Sequence, residues 1–223
     1  MSTTAITKPA RAAAYPRREE IANFASHGLG ALLSSSAAVL LVARASQYGD
    51  RMAVLGYLLF GLSLVLLFTA STIYHAAERP EAKRRLRVLD HASIYVLIAG
   101  TYSAFCLQAL RGALGWVIFG IVWTLAVLGI VLAVFFTGRF KVLSLVGYVA
   151  MGWIIVLAWG PLQKALPAQA LVFLIGGGML YTLGAAVYAI KRIPWNHPLW
   201  HCFVLGGAAC HVVAALSAFR PPV

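Results

Sequence analysis

Two histidines near the end of the sequence have the spacing of a metal half-site. His197 and His201 are four residues apart, so on a helix both imidazoles lie on one face, one turn apart. Pro198 between them suits the first turn of a helix. A His-x-x-x-His pair is typical of zinc sites, whereas the His-Glu-x-x-His motif of metalloproteases is absent from the chain. The pair therefore predicts two ligands of one metal ion. The alternative is a pair of interfacial histidines that face lipid headgroups.

Three further residues could complete such a site. His75 could supply a third ligand and leave a fourth position open, as in catalytic zinc sites. Ser71 lies four residues before His75 and therefore on the same helical face. It could orient a ligand or donate to a developing oxyanion, or it could instead bond its own helix backbone. Asp90 is the one acidic residue of the six that begins an apolar segment.

The amino-acid composition indicates whether the protein that positions these residues is surrounded by water or by lipid. Of the 223 residues, 61% are hydrophobic and only 11% are charged, and the mean hydropathy is +0.85. A soluble domain carries roughly 25% charged residues. Lipid-facing side chains, in contrast, must be apolar, and their backbone must be hydrogen-bonded within the segment. The sequence therefore predicts an all-α membrane protein.

Seven apolar segments approach the ~20 residues that a bilayer requires. They are 22–43, 53–76, 89–110, 113–137, 142–161, 169–190 and 198–219. We expect a single transmembrane domain of seven helices over residues 21–220. Residues 1–20 are basic and contain two prolines, and we interpret them as a disordered cytoplasmic tail.

The distribution of Lys and Arg predicts the orientation. With the N-terminus inside, 13 basic residues lie in cytoplasmic segments and 5 outside, as the positive-inside rule favours. The C-terminus is then outside. In this topology His75 ends an inward span, while Asp90, His197 and His201 begin outward spans. All four residues therefore reach the membrane at the same, cytoplasmic depth.

The remaining histidines are assigned by their positions. His211 is 14 residues beyond His197, roughly 21 Å along a helix, so it cannot bind the same ion and is given a packing or outer-leaflet role. His91 points about 100° away from Asp90 and is a weak ligand candidate. Glu20, Asn23 and His27 share one helical face. They could line the same cavity, although a cytoplasmic helix cap is the plainer interpretation.

The net charge of +12 does not indicate a nucleic-acid partner, because the basic residues separate hydrophobic segments rather than cluster in one. The expected partners are membrane lipids and a lipid-like substrate or ligand. The three cysteines contain no CxxC, and their odd number argues against a disulfide framework.

These motifs resemble a known family. The chain is similar to the bacterial hemolysin III branch of the progestin and adipoQ receptor family, which is grouped with the alkaline ceramidases in a proposed hydrolase superfamily. The resemblance lies in residues 19–28, 71–75, 89–95, 99–102 and 197–201, followed by His211. It implies a seven-helix protein of the bacterial cytoplasmic (inner) membrane with its N-terminus inside.

The resemblance also implies roles for individual residues. Zinc would be held by His75, His197 and His201. Asp90 would lie beside the reactive water, and Ser71 would belong to the same motif.

The leading hypothesis is zinc-assisted hydrolysis of a lipid amide or ester, with Asp90 moving the proton and Ser71 holding the oxyanion. One alternative is a membrane-perturbing or pore-forming protein, although no charged stripe of the kind that a hydrophilic pore needs follows any span. The other is a sensor of membrane lipid state in which zinc is purely structural.

Overall fold

A computed structural model describes residues 15–47, 51–136 and 141–219, and the regular structure of these residues is entirely helical. The α-helices are α1 (Arg17–Gln47), α2 (Arg51–Ala76), α3 (Pro80–Gln108), α4 (Ala113–Phe136), α5 (Lys141–Trp153), α6 (Trp159–Ala165), α7 (Ala168–Ala189) and α8 (Asn196–Ser217), with a 3₁₀ segment (Ile154–Ala158) between α5 and α6. Each apolar segment of the sequence therefore corresponds to helical structure. Residues 1–14 of the predicted tail lie outside the described part, and α1 begins at Arg17.

Six stretches of the described chain are long and apolar enough to cross a membrane: α1, α2, α4, α7, α8 and the continuous stretch Val142–Ala165. Their outward faces carry many exposed large hydrophobic side chains, such as Leu32, Phe135 and Leu157. A surface of this kind suits lipid and not water. The molecule is a helical membrane bundle.

Helix α3 corresponds to the predicted third span but is not one of these six stretches. It begins at Pro80, nine residues before the apolar segment, because its charged first turns consist of good helix formers behind a proline at the first position. Its apolar half packs against α2, α4, α5 and α8. Since protein rather than lipid surrounds this half, it can carry Ser, Thr and Tyr at buried positions.

The fifth membrane stretch is not a regular α-helix. Pro161 has no N–H to donate and its ring clashes with the carbonyl four residues earlier, so the helix before it is interrupted. The 3₁₀ segment Ile154–Ala158 lies at that point. The hydroxyl of Tyr102 in α3 donates to the carbonyls of Met151 and Gly152 and accepts from the N–H of Ile155 at 2.7 Å. The backbone groups freed by the break are thus partnered inside the bilayer.

Contacts between helices define two ends of the bundle. At one end, the start of α1 meets the end of α2, where Glu20 contacts His75. At the other end, the Tyr57 hydroxyl of α2 donates to the Ala215 carbonyl of α8 at 3.0 Å, and the Gln108 amide of α3 donates to the Ala218 carbonyl at 3.3 Å. We call the first the histidine end. Most basic residues of the described chain lie there.

Candidate metal centre

Two helices bring three histidines together at the histidine end. His75 lies in the last turn of α2, while His197 and His201 lie in the first two turns of α8. All three are buried, and one ring nitrogen from each lies within 4.8 Å of the other two. The three residues predicted as ligands therefore meet in the fold.

The spacing of two of these nitrogens suits a metal ion. Nε2 of His75 and Nε2 of His197 are 3.3 Å apart. In a tetrahedral zinc site with bonds of about 2.0–2.1 Å, two ligand nitrogens are separated by about 3.3 Å. A donor set of three imidazoles is also one that zinc prefers. The residues therefore fit a zinc ion, with one coordination position left for another ligand.

The hydrogen bonds of His75 hold its ring in the orientation that a metal ligand needs. Its Nδ1 lies 2.6 Å from Oε2 of Glu20, and the other oxygen of Glu20 lies 2.9 Å from Nζ of Lys83. Because a carboxylate can only accept, Nδ1 carries the proton and Nε2 presents its lone pair. A carboxylate behind a histidine is the usual support of a zinc ligand.

His201 is fixed in the same way from α1. The Ser26 hydroxyl donates to the Asn23 carbonyl at 3.0 Å, and its oxygen lies 3.2 Å from Nδ1 of His201. With its own proton committed to Asn23, the hydroxyl accepts from Nδ1–H. The lone pair of His201 is therefore also on Nε2.

Aromatic rings cover the outer side of His197. The Tyr15 ring stacks on the His197 ring at a centroid distance of 4.5 Å and an angle of 17°, and the Tyr188 ring lies 5.5 Å away. The Asn196 amide donates to the Tyr188 carbonyl at 3.0 Å and fixes the start of α8 against α7. These contacts close the centre on the side of the loop that precedes α8.

Towards the middle of the bundle, His197 and His201 border a cavity of about 160 Å³. Asp90 and Ser71 also line this cavity, and the rest of the lining is mainly aliphatic and aromatic. Ser71 is buried, and within the described residues its hydroxyl has no hydrogen-bond partner. The Ser71 hydroxyl therefore does not bond the backbone of its own helix, which was the alternative interpretation. It is free to bind a ligand.

The other histidines occupy three different environments. His27 is buried, lines the cavity and stacks on the His201 ring at 3.5 Å. His91 also borders the cavity, and its Nδ1 lies 3.5 Å from Oδ2 of Asp90. His211 contacts the Leu174 carbonyl and is not part of the three-histidine group.

Sequence reasoning missed three contributors to the centre: the Glu20 carboxylate behind His75, the Ser26 hydroxyl behind His201, and the Tyr15 ring over His197. The shared helical face of Glu20, Asn23 and His27 indicates that α1 contributes to the cavity, although a helix cap is the plainer interpretation of the sequence. In the structure Glu20 lies in the first turn of α1 and still pairs with His75. Ser26 lies within the resembling segment 19–28 but is assigned no role there, and no pattern points to Tyr15.

Comparison with known proteins identifies the family. The family described as Haemolysin-III related matches residues 15–212. This chain belongs to that family. It is 44% identical to Hemolysin-3 of Bacillus cereus over 204 residues, which cover 92% of this chain and 93% of the relative. It is also 44% identical to the Hemolysin-3 homolog of Bacillus subtilis over 192 residues, with coverages of 86% and 90%.

A more distant animal protein is also similar to this haemolysin-III related chain. The monocyte to macrophage differentiation factor of Homo sapiens is 28% identical over 164 residues, or 70% of this chain and 67% of the relative. The family and the apolar helices together make the chain a multi-pass bacterial membrane protein. The matched region includes all the residues of the candidate centre.

Proposed function

We propose that this protein is a zinc-dependent hydrolase of lipid amide or ester bonds that acts in the turnover of membrane lipids. The observation that carries the proposal is the group of three histidines beside a largely apolar cavity inside the membrane, with Asp90 and Ser71 on its wall. The family and its resemblance to the alkaline ceramidases suggest the bond class.

The proposed topology has seven spans, with the N-terminus inside and the C-terminus outside. In this topology α3 is the seventh span, a proposal supported by its course between the same two ends as its neighbours α2 and α4. Ten Lys and Arg residues of the described chain belong to the histidine end and four to the other. By the positive-inside rule the histidine end is cytoplasmic, so the centre lies near the inner headgroup layer, where the polar linkage of a lipid lies.

The residues divide the proposed chemistry among them. Bound zinc would supply a Lewis acid and activate water at neutral pH. Asp90 accepts a proton from the attacking water and returns it to the leaving amine or alcohol. The Ser71 hydroxyl donates to the carbonyl oxygen as negative charge develops there. The apolar part of the cavity holds the lipid chain and excludes bulk water.

Metal content of detergent-purified protein tests the centre. We expect about one zinc ion per chain in the wild type and none in the His197→Ala, His201→Ala variant, because two of three ligands are lost. The matched control is His211→Ala, which removes a partly buried histidine of the same helix outside the group and should keep the ion. Equal zinc in the wild type and the double variant would refute the site.

Activity towards lipid amides and esters tests the reaction. Asp90→Asn should retain zinc but lose at least about a hundredfold in turnover, since general acid–base catalysis contributes typically 10²–10⁴-fold. Ser71→Ala should lower kcat more than it changes KM. A zinc-loaded wild type that hydrolyses no member of a broad lipid panel would instead favour the non-catalytic sensor.

The names of the two bacterial relatives favour a second candidate, disruption of membranes by cytolysis. Release of dye from liposomes by the purified protein measures it. Release that is equal in the wild type and the double histidine variant, and insensitive to a chelator, would support this candidate over the hydrolase.

A further inference from the structure

Tyr181 and His211 form a second polar pair on the cavity, well away from the three histidines. Tyr181 lies in α7 and His211 in α8, and their ring centroids are 5.4 Å apart at an angle of 60°. Both border the cavity that His197 and His201 border. His211 is ten residues beyond His201, which is about 15 Å along the helix axis.

Two glycines make room for these rings. A β-carbon added at Gly177 of α7 would overlap the imidazole of His211. A β-carbon at Gly207 of α8 would lie only 2.9 Å from ring atoms of Tyr181. Each helix therefore leaves out a side chain where the other inserts a polar ring.

One polar atom on each ring of this pair differs from the polar atoms of neighbouring side chains, because it has no partner among the described residues. Nearby on the cavity wall, the Tyr102 hydroxyl is bonded to the backbone of the 3₁₀ segment, and the Trp153 indole donates to the Thr182 hydroxyl at 2.9 Å. Within the described chain, the Tyr181 hydroxyl and Nδ1 of His211 are buried without a hydrogen bond. Buried polar atoms are rarely left in this state.

The partner of His211 determines which kind of group the pair would bind. Nε2 of His211 lies 3.2 Å from the Leu174 carbonyl, which can only accept, so Nε2 carries the proton and Nδ1 offers a lone pair. The Tyr181 hydroxyl can donate. A bound group can therefore donate to Nδ1 of His211 and accept from the Tyr181 hydroxyl. A hydroxyl can do both, whereas a carboxylate would face the lone pair of Nδ1.

We propose that Tyr181 and His211 form a subsite for a hydroxyl group carried on the hydrocarbon chain of a lipid whose polar linkage lies at the three histidines. The ligand hydroxyl donates to Nδ1 of His211 and accepts from the hydroxyl of Tyr181. This inference rests on the proposed lipid-hydrolase function and adds to it the substrate class, a chain-hydroxylated lipid. A plain acyl chain would leave both buried atoms unpaired, which weakens its binding.

Binding of hydroxylated and plain fatty acids tests the subsite without requiring turnover. The probes are palmitic acid and a series of monohydroxy-palmitic acids with the hydroxyl at successive positions, and displacement of a fluorescent fatty acid reports their affinity. We expect one position, or two adjacent ones, to bind about three- to tenfold more tightly than palmitic acid, which corresponds to one or two net hydrogen bonds.

The Tyr181→Phe variant should lose this preference while keeping its zinc content and its affinity for palmitic acid. Tyr148→Phe is the matched control. Tyr148 also borders the cavity, but its hydroxyl already donates to the His91 carbonyl, so the preference should persist.

Three outcomes would overturn the proposal. If palmitic acid binds and no hydroxylated isomer binds more tightly, water fills the subsite and the hydrolase proposal is unaffected. If the preference survives in Tyr181→Phe, the hydroxyl binds elsewhere. If no fatty acid displaces the fluorescent probe, the cavity holds no acyl chain, and the lipid premise of the proposed function fails together with the subsite.

Discussion

At the scale of single residues, Glu20 connects the positive charge at the histidine end to the candidate centre. It contacts Nδ1 of His75 with one oxygen and Nζ of Lys83 with the other. The Glu20 carboxylate fixes the orientation of the imidazole and makes it a more basic ligand. Replacement by alanine removes this acceptor. Loss of such a supporting group typically weakens metal affinity 10–100-fold, and we expect Glu20→Ala to fall in that range in a zinc competition titration.

Two variants separate this effect from a loss of surface charge. Glu19→Ala removes the same charge one position earlier and should leave zinc affinity unchanged. Glu20→Gln keeps an acceptor for Nδ1–H and should lie between Glu20→Ala and the wild type. Equal affinities in Glu19→Ala and Glu20→Ala would mean that the carboxylate acts only through long-range charge.

Single residues also show how far sequence reasoning reaches. Span order and charge predict a common depth for His75, His197 and His201, because position along a span fixes depth in a bilayer, and the three rings do lie together. Which side chains support them is not predicted in this way, since His201 meets Ser26 across 175 residues. That contact depends on the rotation of α1 about its own axis, which the spacing of a lone serine cannot specify.

At the scale of helices, a close approach between the backbones of α2 and α3 depends on Gly56. A β-carbon there would lie 3.1 Å from the Ser103 carbonyl carbon and 3.2 Å from Cα of Ala104. Because the obstacle is backbone, the helices must separate. Overpacking of this kind costs typically about 1–3 kcal/mol, so we expect Gly56→Ala to lower the melting temperature of the protein in detergent.

The matched control for that change is Gly120→Ala in α4, where an added β-carbon meets nothing within 4 Å. Alanine is the better helix former by about 1 kcal/mol, so this variant should melt at or above the wild-type temperature. If both substitutions lowered the melting temperature equally, the effect would come from replacing glycine as such and not from the contact between α2 and α3.

The helices themselves were largely predictable, and the departures have local causes. The apolar segments predicted the six membrane stretches to within a few residues. They predicted the end of α3 but not its start, where charged helix formers extend the helix beyond its apolar part. The break at Ile154–Ala158 has its signal in Pro161. The hydroxyl of Tyr102 that partners the break comes from α3, and a partner from another helix is invisible to local pattern.

At the scale of the whole molecule, the proposed topology depends on α3 crossing the bilayer although it is the least apolar of the long helices. Glu78 precedes α3 and Ala113 follows it, so a span must place them on opposite sides. Each is exposed and can be replaced by cysteine in a variant in which Cys106, Cys202 and Cys210 are changed to serine.

A membrane-impermeant maleimide on intact cells should therefore label Ala113→Cys at once and Glu78→Cys only after permeabilisation. The physical reason is that five Lys and Arg residues between 79 and 87 hold the α2–α3 connection on the cytoplasmic side, while the buried polar side chains of α3 are shielded by neighbouring helices. The cysteine-free parent should remain unlabelled. Labelling of both positions from the same side would mean that α3 does not span the bilayer and would refute the seven-span topology.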